Sequence, residues 1–155
     1  MSNPLPGAAI IETVTTTINP DGTVNCAAMG VEWADELIVI KPFPSTRTLR
    51  NLRATGEAVV NLTDDILLFT EAALGDPHPP TRPAAKVAGA VLADACSWRE
   101  VTVEAIDADG PRARVAARAP SPRAPAAPPS CRRAPGGAPA PPGSPQWAAG
   151  ARARR

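Results

Sequence analysis

The amino-acid sequence predicts a mainly β fold with short helices: an antiparallel barrel of about six strands, followed by a disordered tail. Three observations carry that prediction. Strand-like segments recur at short spacing and are separated by turn-forming residues. Only two segments combine helix caps with apolar residues at helical spacing. The chain also lacks the alternation of strands and helices that a doubly wound parallel sheet requires.

The first strand is Ile10 to Ile18, IIETVTTTI, whose β-branched side chains are stiff at χ1 and favour extended backbone. Asn19-Pro20-Asp21-Gly22 turns the chain, since proline fixes φ and glycine supplies a positive φ. Thr23 to Gly30 returns as its partner, with NCAAMG small and polar rather than bulky. Glu36 to Ile40, ELIVI, is a third strand, stopped by Pro42 and Pro44, neither of which can donate to a ladder.

A short helix follows, with Ser45 at its N-cap and Gly56 at its C′ position. Leu49 and Leu52 form its apolar face, and Arg47, Arg50 and Arg53 occupy the rest. Glu57 to Leu62 is a strand centred on Val59 and Val60. Asp64 or Asp65 caps a second helix, ILLFTEAALG, that ends at Gly75. DPHPPTRPA holds so many prolines that it reads as a loop. Lys86 to Leu92 is weakly strand-like, and Trp98 to Ile106 more strongly so, with Val101 and Val103 sharing a face. Asp107-Ala108-Asp109-Gly110 is a hairpin turn, and Arg112 to Ala117 is the returning strand.

Composition divides the chain. All fifteen acidic residues lie at or before Asp109, while residues 119–155 hold six Arg, half of the twenty prolines, and no Ile, Leu, Val or Phe. Residues 1–118 therefore carry about −5 and the remainder about +6. A segment without large apolar side chains cannot offset its ordering entropy by burial. The expected organisation is a folded domain over 1–118 and a disordered Pro/Ala/Arg/Gly-rich tail over 119–155. Such a composition is what a GC-rich gene yields out of frame, so the expectation is that the domain's true C-terminal segment is replaced there. Apolar surface near 66–74 and 98–106 would then be uncovered. Six Arg with a single interleaved aromatic, Trp147, make a poor nucleic-acid arm, so a basic-tailed nucleic-acid-binding barrel is a minor alternative.

The N-terminus shows no basic region before its short apolar run, hence no signal peptide, and no apolar run is long enough for a membrane span. Cys26, Cys96 and Cys131 show neither metal-type spacing nor an even framework and read as free thiols of a reducing cytoplasm.

The sharpest chemical signal is Ser45-Thr46-Arg47-Thr48. Hydroxyls, a guanidinium and first-turn backbone N–H groups at a helix start are what a phosphate needs, although an ordinary capped basic helix has the same composition. Asn61, on the following strand, can present an amide from the barrel wall. His78 stands alone in the proline-rich loop and reads as solvated rather than catalytic or haem-ligating. Asp64 and Asp65 are accounted for by capping, Cys26 by small-residue burial, and Trp33 and Trp98 by core or interface packing. No metal site and no acid–base pair can be named.

TTTINPDGTVNCAAMGV, IVIKPFPSTRTLRNL, VVNLTDDILLFTEAALG and ADACSWREVTVEAI together resemble the split-barrel flavin-mononucleotide (FMN)-binding proteins of the flavin reductase-like superfamily. Within it they are most similar to the subfamily called domain of unknown function 447. The likeness covers roughly residues 8–118. It implies a homodimer of six-stranded split barrels with FMN near the subunit interface and a small-molecule redox partner. Its phosphate site would fall on Ser45, Thr46, Arg47 and Thr48, with Asn51 one turn on. Asn25, Ala27 and Met29 would lie along the isoalloxazine edge, with Asn61 and Thr63 as lesser contacts. Val14, Ile38, Ile40, Val59 and Val60 would fill the barrel. The implied function is a flavin-dependent oxidoreductase of unknown substrate, or alternatively a flavin carrier without turnover. A deazaflavin offers a similar ring and phosphate and stands as an alternative to FMN.

Overall fold

The structure, a computed structural model, describes residues 4–119. The expectations for the tail beyond Ala119, Cys131 and Trp147 included, lie outside the described residues.

Six strands close a barrel in the order β1 (Ala9–Ile18), β2 (Val24–Trp33), β3 (Leu37–Ile40), β8 (Arg114–Arg118), β7 (Ser97–Asp107), β4 (Glu57–Leu62), every pairing antiparallel. β1 (Ala9–Ile18) and β2 (Val24–Trp33) form the longest hairpin, in register from Ala9↔Trp33 to Ile18↔Val24. Its turn is built as the sequence predicts: Gly22 takes φ 84°, and the Asp21 carboxylate accepts from the Thr23 N–H at 3.0 Å. β3 (Leu37–Ile40) leads to α1 (Arg47–Thr55), and β4 (Glu57–Leu62) returns to pair with β1 and close the barrel. β7 (Ser97–Asp107) and β8 (Arg114–Arg118) form the last hairpin, with a register shift between Val103 and Ala105.

Three local expectations are corrected. The α1 N-cap is Thr46, not Ser45, because Pro44 and Ser45 form a turn that delays the helix by one residue. The proline-rich loop contains a strand, β5 (Thr81–Pro83), paired with β6 (Ala90–Leu92) as a small second sheet. Pro83 is tolerated there because a two-stranded sheet is all edge.

The third correction concerns the interior. Ile38, Ile40 and Val60 join Val31, Trp33, Val101 and Val115 in the main core, but Val14 packs with Cys26, Ala72 and Leu92 in a second cluster. Val59 is fully buried on the opposite face from Val60, beside Gly89. Successive strand residues point to opposite faces, so adjacent valines cannot both fill the interior. Leu49 and Leu52 of α1 belong to the main core.

α2 (Ile66–Leu74) is capped by Asp65, which accepts from the Leu68 N–H at 3.0 Å. It buries Ala72 alone and leaves Ile66, Leu67 and Leu74 at 79%, 68% and 84% exposure. Among the described residues, no helix is long and apolar enough to cross a membrane. Cys26 is a free, buried thiol, whereas Cys96 is disulfide-bonded, which corrects the expectation of a free thiol at Cys96.

Candidate functional site

A cleft of about 580 Å³ lies over β2, between the start of α1 and the end of α2. Its floor is Asn25 to Gly30 of β2, where small side chains let a ligand come close to the main chain. One wall is Lys41, Pro42 and Phe43 after β3, Thr46, Arg47 and Thr48 at the head of α1, and Arg112 before β8. The other wall is Phe69, Ala72, Ala73, Gly75 and Asp76. Glu12 stands beside Gly30, its cross-strand partner.

α1 is fixed over the floor by a buried amide–hydroxyl network. The Asn25 amide donates to Thr17 Oγ1 at 3.2 Å and to Thr48 Oγ1 at 3.1 Å. The Asn51 amide donates to Thr17 Oγ1 at 3.0 Å and to Asn19 Oδ1 at 2.9 Å. Thr17, Asn25, Thr48 and Asn51 are all buried. These bonds point the first turn of α1 at the cleft, where its backbone N–H groups, without intrahelical acceptors, carry partial positive charge.

Three cations stand on that wall, each in a different state. Arg47 Nη1 donates to Asp76 Oδ2 at 2.6 Å across the cleft, with both side chains partly exposed. The Arg112 guanidinium lies 4.1 Å from the Phe43 ring centroid. Lys41 pairs with Glu32, a carboxylate 1% exposed that also receives two bonds from Arg114 and one from the Leu5 N–H. Burial pushes the Glu32 carboxyl up, but the bonds from Arg114, Lys41 and Leu5 together outweigh it and hold the group at about 2. On the floor, burial and, second to it, the Asp76 charge push the Cys26 thiol up to about 11.

Six of the nine residues that the sequence nominates, Asn25, Ala27, Met29, Thr46, Arg47 and Thr48, meet in this cleft. Ser45 is exposed one residue outside the cap, and Asn51 is buried behind the wall it supports. Asn61 does not line the cleft and is taken up by β6 and β1: its amide donates to Val14 O at 3.0 Å and to Thr16 Oγ1 at 3.2 Å, and its oxygen accepts from the Leu92 N–H at 3.0 Å. Thr63 Oγ1 accepts from the Asp65 N–H at 3.0 Å ahead of α2. Trp33 is in the core, Trp98 lies under Arg82 at 4.2 Å, and His78 is exposed in its loop.

Lys41, Phe43, Phe69, Asp76 and Arg112 complete the cleft and were not nominated. Lys41 and Phe43 sit in the same KPFPS string as the α1 start, so adjacency could have found them. Asp76 and Arg112 come from distant loops and gave no local signal. Among the described residues, no group of three His, Cys, Asp or Glu is placed to hold a metal ion. The arrangement suits a flat ligand with an anionic end: an apolar wall, a floor of small residues, and positive charge at the head of a helix.

Residues 11–120 match the model of a family described as a protein of unknown function (DUF447), N-terminal domain. No curated protein sequence matches the chain. Among solved structures, an FMN-bound protein from Methanosarcina mazei, itself placed in DUF447, superposes with a TM-score of 0.59 at 18% identity, over 74% of this chain and 59% of that one. Nitrilotriacetate monooxygenase component B from Mycobacterium thermoresistibile gives 0.63 at 16%, over 71% and 66%. The 2-nitrobenzoate 2-nitroreductase NbaA from Pseudomonas fluorescens gives 0.58 at 17%, over 70% and 61%. The chain thus spans less than two thirds of the length of these three structures. At such identities the likeness establishes the fold.

Proposed function

Because the chain belongs to the DUF447 N-terminal-domain family, we propose that it binds FMN in the cleft over β2 and serves as a flavin-dependent oxidoreductase. One observation carries this reading: Thr46, Arg47 and Thr48 stand at one end of a floor, Asn25 to Gly30, that bulky side chains leave open. The FMN-bound relative from Methanosarcina mazei supports the choice of ligand.

In this reading the first-turn N–H groups of α1, Thr46, Thr48 and the Arg47 guanidinium would hold the phosphate. Phe69, Ala72 and Ala73, the apolar part of the facing wall, would limit water beside a bound ring. Bound flavin supplies the redox chemistry, and the chain supplies position and charge. Ser45, Asn51 and Asn61 fall outside the ligand set, Asn51 acting by holding α1. The reading extends to a homodimer, a small-molecule redox partner and a cytoplasmic location. The uncovered Ile66, Leu67 and Leu74 of α2 support an assembly that covers them.

The test is a titration of the purified chain with FMN, followed by flavin fluorescence and visible absorbance, and then anaerobic addition of NADH or NADPH. Saturable binding with subsequent bleaching is expected of the oxidoreductase. Binding without bleaching by any donor leaves a flavin carrier, and absence of binding overturns both.

A further inference from the structure

The cleft's two walls end in opposite charges. α1 presents its N-terminal pole and Arg47, while α2 presents its C-terminal pole, with no basic residue in the last turn, followed by Asp76. The two meet in the 2.6 Å bond from Arg47 Nη1 to Asp76 Oδ2, which links residues 29 apart in sequence and bridges the cleft at the head of α1. Asp76 also has an electrostatic reach into the floor, since its charge acts on the Cys26 thiol.

We propose that Asp76 sets the affinity and selectivity of the cleft by competing with the ligand's phosphate for Arg47. The inference rests on the function proposed above and assigns a role to a residue outside that ligand set. A carboxylate and a phosphate cannot both take the same face of one guanidinium, and each repels the other at such range. A phosphate at Arg47 Nη1 therefore requires the release of Asp76, and one at the other guanidinium nitrogens meets its repulsion. A phosphomonoester, with up to two negative charges, displaces the carboxylate, whereas a ligand with only hydroxyls at that end leaves the pair in place. Asp76 thus holds the phosphate end shut to weak anions, and its exchange loosens the tie between the two helices as FMN enters. The Glu12 carboxylate also lines the cleft, beside Gly30, and Asp76 is the acid bonded to Arg47.

The experiment compares the full-length wild-type chain with Asp76→Asn and Asp76→Ala, each titrated with FMN and, separately, with riboflavin, which has the ring and ribityl chain without phosphate. Both variants are expected to bind FMN about three- to tenfold more tightly, the range open to a partly exposed pair, with riboflavin affinity unchanged within about twofold. In an Arg47→Ala background the gain from Asp76→Asn shrinks below about threefold, because the shared cation is gone. Wild-type FMN binding that is equalled or weakened in both Asp76 variants would overturn the inference and leave the proposed function standing. An equal gain for riboflavin would overturn it too, since the effect would then not act through phosphate. Failure of wild type and variants alike to bind FMN removes the proposed function and this inference with it.

Discussion

Arg114 on β8 holds both carboxylate oxygens of Glu32 on β2, each at 2.9 Å, reaching over β3, which lies between those strands. Lys41, just past β3, bonds the same carboxylate and also lines the cleft. One buried acid therefore joins three successive barrel strands on their outer face and fixes the stem of a cleft cation. An acid 1% exposed is tolerated there because each oxygen is hydrogen-bonded and two cations offset its charge.

Glu32 gives the fold an acid-sensitive contribution. Its carboxyl is held at about 2 against an ordinary 4.5. A depressed folded-state value means that the stabilisation is fully present above 4.5 and is lost as pH falls from there through about 2. Its size is on the order of 3 kcal/mol. Melting temperatures of wild type and Glu32→Gln, followed from pH 7 to pH 2, should differ most at neutral pH and converge toward pH 2. The other carboxylates titrate in both proteins, so the difference isolates Glu32. A gap that stays constant with pH would show that the carboxylate charge contributes nothing.

Thr17 supports the cleft from behind without lining it. Its hydroxyl accepts from both Asn25 and Asn51, joining β1, β2 and α1. Thr17→Val removes that acceptor, though each amide keeps one other partner, so the cost is about 1–3 kcal/mol. FMN affinity should fall several-fold as the first turn of α1 loosens, and Thr17→Ser should restore it. Loss of stability with unchanged FMN affinity would separate the network from the site.

The barrel was legible because its strands announce themselves locally. Ile10 to Ile18 cannot easily be helical, the Pro20–Gly22 turn dictates a hairpin, and Gly56 stops α1 where its φ of 69° requires glycine. Of the cleft residues, Thr46, Arg47 and Thr48 were legible because they are contiguous at a helix start, whereas Asn25, Ala27 and Met29 were reached through the resemblance to flavin-binding split barrels. What stayed hidden depends on pairing between distant segments. β5 is three residues ending in proline and is specified by β6 and by the Asn61 and Thr16 side chains beneath it. The burial of Asn61 against β6, which satisfies its amide, is likewise invisible in sequence. Asp76 was hidden in the same way, since only the docking of α2 brings it to Arg47.

Asn61 and Arg47 should therefore separate cleanly by mutation. Asn61→Ala leaves the Leu92 N–H without its acceptor and removes the anchor of β6, costing about 2–4 kcal/mol of stability. FMN affinity should stay within about twofold of wild type. Arg47→Ala should do the reverse: melting shifts little, because a half-exposed ion pair contributes at most about 1 kcal/mol. FMN binding weakens by about 1–2 kcal/mol, the low end for a charge-assisted contact that must first leave Asp76. Equal loss of FMN affinity in both variants would return Asn61 to the site.

Cys26 lies on the cleft floor and invites a redox role, which its surroundings oppose. Burial, with a smaller push from the Asp76 charge, holds its thiol at about 11 against an ordinary 9.0. Two units amount to about 100-fold less thiolate at any pH below both values, and the thiolate is the nucleophile. Alkylation by iodoacetamide at pH 8 should therefore run at least about 100-fold slower in the native chain than in denaturant, monitored by mass at the Cys26 peptide. Asp76→Asn should speed it only modestly, because burial is the larger cause. Rapid native labelling would mean that the floor opens to solvent, and that the apolar contacts of Cys26 with Val14, Ala72 and Leu92 are broken in solution.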